Sequence, residues 1–120
     1  MGKRIMIVDD AMFMRKLLSD IITKAGYEVV AEAGNGNEAF QKYKEFAPDL
    51  VTMDITMPEV SGIEGLRLII SAFPDAKILM CSAMGQEIMV IDSVRSGAKG
   101  FIDKPFVPEK VIREIAKVIG

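Results

Sequence analysis

The chain has 120 residues, half of them hydrophobic and 27% charged, with a formal net charge of −2. That fits one compact domain over residues 1–120 and excludes both a disordered segment and the basic excess of a nucleic-acid binder. No histidine is present, which removes most zinc and non-haem iron ligand sets, and the single cysteine, Cys81, cannot form an internal disulfide.

Short β-branched runs alternate five times with stretches of helical period. A first strand over residues 4–8 ends at Asp9 and Asp10. These acids stand where a secretory leader would stay apolar, and no apolar run approaches the roughly 20 residues that cross a bilayer, so a cytoplasmic location is expected. The first helix, over 11–25, carries Phe13, Leu17 and Ile21 on one stripe with Met14, Leu18 and Ile22 beside it, a face expected in the core, and Gly26 stops it. Strand two covers 28–33. The second helix starts after Asn35-Gly36-Asn37 and ends before Pro48.

Strand three, over 50–53, leads into Asp54, and Ser61-Gly62-Ile63-Glu64 opens the third helix with the spacing of a capping box. Strand four, over 77–81, places Cys81 in core packing and leads into Ser82. The fourth helix runs over 86–96 before Gly97. Val90, Ile91 and Val94 are expected on its inward stripe, while Ile88 and Met89 add apolar surface beyond it, a candidate partner site. Strand five, over 100–102, leads to Lys104. Pro108 suits the first position of a fifth helix that packs through Val111, Ile112, Ile115, Ala116 and Ile119.

Strands that are apolar throughout belong in a parallel sheet covered on both faces. Right-handed crossovers leave few arrangements of five such units, and the expected fold is α/β: a doubly wound, five-stranded parallel sheet of order 2-1-3-4-5. Ligands then bind at the carboxyl ends of the strands, where Asp9, Asp10, Asp54, Ser82 and Lys104 gather. Three carboxylates at close range either raise a pKa or require a compensating cation. Together with Lys104 they sum to −2, which one Mg²⁺ balances; that ion prefers oxygen ligands and is commonly held by carboxylates and phosphate oxygens. Acids at strand ends can also simply cap the following helices and complement their dipoles, a reading that suits Asp10 alone. It leaves the hydroxyl of Ser82 and the ammonium of Lys104 on the same edge without a role.

The segments IVDD ending at Asp10, MDITMPEVSG around Asp54, CSAMG around Ser82 and FIDKPF around Lys104 resemble the response-regulator receiver family over essentially the whole chain. The resemblance implies a flavodoxin-like (βα)5 fold. It also implies that Asp54 is the phosphoacceptor, that Asp10 and Asp54 bind Mg²⁺ directly, that Asp9 does so mainly through water, and that Thr56 contributes its main-chain carbonyl. Ser82 matches the hydroxyl switch residue, Phe101 the aromatic one, and Lys104 the lysine that pairs with the phosphoryl group; the Lys104-Pro105 bond matches one usually cis. A chain that stops after the fifth helix is most similar to the stand-alone chemotaxis branch. For that branch a histidine kinase, the flagellar motor switch and a phosphatase are the implied partners of a cytoplasmic monomer. Its output face is built by the fourth helix, fifth strand and fifth helix, with Ile88, Met89 and Phe101 as candidate contacts. Phe101 lacks the hydroxyl of the tyrosine common there. Thr56 and Met84 occupy the positions that border the route of hydrolytic water, and neither carries a group to orient it, so slow self-dephosphorylation is expected.

Within the family, a phosphorelay intermediate and an isolated receiver of a transcriptional regulator remain alternatives. An aspartyl-phosphate phosphatase of the haloacid dehalogenase type shares aspartate and magnesium but needs a DxD pair, whereas Asp54 is followed by Ile55-Thr56-Met57. A flavodoxin needs hydroxyls and backbone donors in its first loop, where this chain has Asp9 and Asp10.

Overall fold

The computed structural model describes residues 2–120. Strands and helices alternate along it: β1 (Arg4–Val8), α1 (Met12–Lys24), β2 (Glu28–Ala33), α2 (Gly36–Phe46), β3 (Leu50–Asp54), α3 (Gly62–Ala72), β4 (Ile78–Ser82), α4 (Glu87–Arg95), β5 (Gly100–Asp103) and α5 (Pro108–Ile119). All strand pairs are parallel, and the sheet order is β2-β1-β3-β4-β5, as the sequence predicts. Successive strand residues point to opposite faces, and each face is covered. Met6, Val8, Val51, Met53, Ile78 and Met80 pack with Ala39 of α2 and with Leu66 and Ile69 of α3. Ile5, Ile7, Leu50, Leu79 and Cys81 pack with Leu18 and Ile22 of α1 and with Val111 and Ile115 of α5. Each buried Val, Leu, Ile or Met contributes about 1.5–3 kcal/mol by leaving water, so the sheet is held from both sides and its carboxyl edge is a firm platform.

The helix starts follow local chemistry. Asn35 accepts from the Glu38 N–H at the start of α2, Ser61 and Glu64 form the expected capping box, and Pro108 opens α5. Gly26 and Gly97 follow α1 and α4 at positive φ, but α2 ends on Ala47 in the left-handed region (φ 45).

Two helical stripes differ from expectation. In α1, Phe13 is 76% exposed and Leu17 is also exposed, while Leu18 and Ile22 are buried. The inward face is the one shared by Arg15, Leu18 and Ile22, because the Arg15 guanidinium reaches the main chain at the end of β1 and turns the helix with it. In α4, Val90 packs inward, but Ile91 and Val94 are exposed and Ser93 is buried. The Ser93 hydroxyl is satisfied by donating to the Met89 carbonyl at 2.8 Å, and Asp92 faces Arg67 of α3 at 3.0 Å. That arrangement turns the apolar side of α4 toward solvent. On α5, Ala116 is exposed and Val118 packs instead.

Candidate functional site

Asp54 is the last residue of β3 and Ser82 the last of β4, each inside its strand rather than after it. Asp9 and Asp10 follow β1, and Lys104 follows β5. The Lys104 ammonium lies 3.0 Å from Asp54 Oδ1 and 3.4 Å from Asp9 Oδ2. One carboxylate oxygen from each of Asp9, Asp10 and Asp54 lies within 4.8 Å of the other two. Asp9, Asp54 and Ser82 are buried and Asp10 is exposed. The edge therefore brings Asp9, Asp10, Asp54 and Lys104 together, with Ser82 at the end of the adjoining strand beside Lys104 in a shared cleft.

Main-chain bonds fix this arrangement. The Asp9 N–H donates to the Ala33 carbonyl at 3.0 Å, and Asp9 Oδ1 accepts from the Ala11 N–H at 2.9 Å. The Lys104 N–H donates to the Ser82 carbonyl at 2.8 Å, and the Lys104-Pro105 peptide is cis. Behind Asp54, a β-carbon on Gly62 would stand 1.8 Å from the Asp54 carbonyl oxygen. Only glycine lets α3 start so close to the carboxylate-bearing residue.

Burial, with Asp9 and Asp10 adding to it, pushes the Asp54 carboxyl above its ordinary range despite the pull of Lys104. For Lys104, burial favours the neutral amine, yet the hydrogen bond and charge of Asp54 and the charge of Asp9 outweigh it and raise the pKa. A half-dry site with surplus negative charge thus holds its one ammonium firmly and has capacity for a further cation. The donors are all carboxylate oxygens, which suits a hard divalent ion such as Mg²⁺.

Thr56 is exposed, and its hydroxyl accepts from Gln86 Nε2 at 2.9 Å. Phe101 is 42% exposed and shares with Ser82, Val90 and Lys104 a cleft of about 520 Å³ between the site and α4. Ile88 and Met89 lie exposed on α4, joined by Ile91 and Val94. Two polar side chains at the site were not predicted. Arg15 donates to the Asp9 carbonyl at 2.7 Å and to Glu32 Oε1 at 2.9 Å, and Gln86 spans the loops after β3 and β4.

The profile of the response regulator receiver domain matches residues 5–116. The chain belongs to the response regulator receiver family. The chemotaxis protein CheY of Thermotoga maritima is 61% identical over 118 residues, 98% of either chain. CheY of Bacillus subtilis is 57% identical over 120 residues, the whole of both. Among solved structures, the CheX-CheY-BeF3-Mg²⁺ complex from Borrelia burgdorferi superposes with a TM-score of 0.93 at 39% identity, over 98% of this chain and 90% of that one. The receiver is therefore a CheY-like response regulator, from a family of phosphoacceptor signalling proteins. No helix among the described residues is long and apolar enough to cross a membrane.

Proposed function

We propose that this receiver works as one cytoplasmic domain that accepts a phosphoryl group from a histidine kinase on Asp54 and signals through the face of α4, β5 and α5, in chemotaxis to the flagellar motor switch. The observation that carries the reading is the convergence of Asp9, Asp10 and Lys104 on the Asp54 carboxylate. Asp54 is the nucleophile: one carboxylate oxygen forms a bond to phosphorus as the bond to the donor's leaving nitrogen breaks. Lys104, already 3.0 Å away, meets the negative charge of the incoming group, and the Ser82 hydroxyl offers a neutral donor from the neighbouring strand. Asp9, Asp10 and Asp54, with the Thr56 main-chain carbonyl, would hold Mg²⁺. Bound there, the ion supplies charge neutralisation for the phosphoryl oxygens. The Borrelia burgdorferi complex, which contains both BeF3 and Mg²⁺, supports this combination of anion and ion.

Ser82 and Phe101 act as the switch. A phosphoryl group draws the Ser82 hydroxyl toward Asp54, and the Phe101 ring moves into the cleft they share. The outer face is thereby remade around Ile88, Met89 and Phe101, and the change biases a two-state equilibrium by no more than the difference in phosphate contacts. A CheX-type protein or phosphatase is a fitting partner that ends the signal, since neither Thr56 nor Met84 carries a charged group to orient water and intrinsic decay is slow. Transfer from an acyl-phosphate donor, read by mass, tests the reading: a gain of one phosphoryl group is expected in the native chain and none in Asp54→Asn. Labelling that persists in Asp54→Asn refutes it. Phe101→Ala should weaken capture of the motor switch protein by the phosphorylated form, and unchanged capture removes the aromatic half of the switch.

A further inference from the structure

One side chain holds the loop that leaves β4. The Gln86 N–H closes a turn onto the Ala83 carbonyl at 3.3 Å, and Gln86 Oε1 accepts from the Ala83 N–H at 2.7 Å. The same amide reaches across the site, where Nε2 donates to Thr56 Oγ1 at 2.9 Å. Thr56 comes two residues after Asp54, and Ala83 comes directly after Ser82. A single half-buried glutamine therefore links the two loops that flank the carboxylate. The rest of the loop has little to fix it. Gly85 sits at φ 90, Met84 is 98% exposed, and no side-chain cap holds the start of α4.

We propose that Gln86 is a positioning residue that latches the β4–α4 loop in the unphosphorylated chain by occupying the Ala83 N–H, and that a phosphoryl group on Asp54 takes that donor from it. The inference rests on Asp54 being the phosphoacceptor. The Ala83 N–H is one donor at the end of the strand that carries Ser82, and it cannot point fully at both acceptors. An anionic phosphoryl oxygen is the stronger of the two, because charge-assisted hydrogen bonds are about twice as strong as neutral ones. The exchange is therefore favourable once the phosphoryl group is present, but it costs the bond to Gln86 and loosens the bridge to Thr56. Gln86 directly precedes Glu87, the first residue of α4. Its release thus frees the helix end nearest the exposed Ile88, and loss of the latch and change of the output face become one event. The latch also holds down the phosphorylated population at a given donor concentration, by about two- to tenfold for one ordinary net hydrogen bond.

The test is a titration of the ¹⁵N-labelled full chain with beryllofluoride in saturating Mg²⁺, comparing native protein, Asp54→Asn, Gln86→Ala and Thr56→Val. Gln86→Ala should bind about two- to tenfold more tightly than native. Thr56→Val, which removes only the hydroxyl end of the bridge, should shift in the same direction by less. Without ligand, the Ala83 amide should exchange with solvent faster in Gln86→Ala by a similar factor. If native protein and Gln86→Ala bind alike, or the variant binds more weakly, the latch is overturned while the phosphoacceptor reading stands. If native protein and Asp54→Asn respond alike, that reading falls and takes the latch with it.

Discussion

Replacing Asp54 by asparagine in metal-free buffer at neutral pH should make the protein more stable, although the change removes the proposed phosphoacceptor. At an effective dielectric constant of about 20, two like charges at the 4.8 Å limit of the acid cluster repel by roughly 3.5 kcal/mol. The same treatment gives about 5.5 kcal/mol of attraction for the 3.0 Å contact with Lys104. Asp54 takes part in two such repulsions and one such attraction. Exposure of Asp10 weakens its share, and burial of Asp54 adds a desolvation cost, leaving a net penalty of about 1–2 kcal/mol on the ionised form. Asparagine keeps the shape and sheds the charge. In a chain of this size the gain corresponds to a rise in Tm of about 3–8 °C, read by circular dichroism with chelator present. The pH dependence carries the sign. Because the folded-state pKa of Asp54 is raised, its contribution to stability is present in full below the ordinary aspartate value near 4 and is lost as pH rises through the folded value. The two proteins should converge as the pH approaches 4 and separate toward pH 7. Mg²⁺ should then reverse the order by stabilising the native chain, by about 2.7 kcal/mol at a hundredfold excess over Kd. An Asp54→Asn protein that melts lower than native at pH 7 without metal, or a gap that does not change with pH, would refute the electrostatic account.

Arg15→Gln should weaken Mg²⁺ binding about tenfold by calorimetry, since outer-shell partners that orient ligands commonly contribute that much and Arg15 is what holds the Asp9 carbonyl; an unchanged Kd would make Arg15 a surface ion pair with Glu32 and no more. Gly62→Ala should cost more than about 3 kcal/mol in urea unfolding, because the new methyl would meet the Asp54 carbonyl. Cys81 is fully buried and burial drives its thiol pKa far up, so it should react with a thiol reagent no faster than the protein unfolds; rapid labelling under native conditions would contradict the packing of β4.

The sheet order could be read from the sequence because the central strands are apolar throughout, as in a parallel sheet covered on both faces, and right-handed crossovers leave few orders for five such units. Two helix starts could be read for a similarly local reason, since the Ser61 and Glu64 pair and Pro108 act on groups within one turn of themselves, whereas α2 begins earlier than expected, with Asn35 as its cap and Gly36 and Asn37 already helical. The meeting of Asp9, Asp10, Asp54 and Lys104 followed from those strand ends. Less legible was the rotation of α1 and α4 about their own axes. Both carry apolar residues on more than one side, so periodicity offers several stripes, and the choice is made by a polar contact outside the helix. In α1 that contact is Arg15 to the end of β1; in α4 it is Asp92 to Arg67, with Ser93 folded onto its own helix. Arg15 and Gln86 were missed for the same reason. A long polar side chain gives no hint in sequence of which main-chain group it will find.

The Gly62 contact also sets a direction for movement. With Gly62 packed on the Asp54 carbonyl and its N–H bonded to the Ile55 carbonyl at 2.9 Å, the start of α3 is tied to the main chain beside Asp54, and that wall of the site yields little. The opposite wall is a glycine-hinged turn with a methionine standing in water. A small push at the carboxylate is therefore delivered to one side of the molecule, as a lever with a fixed fulcrum delivers force to its free arm.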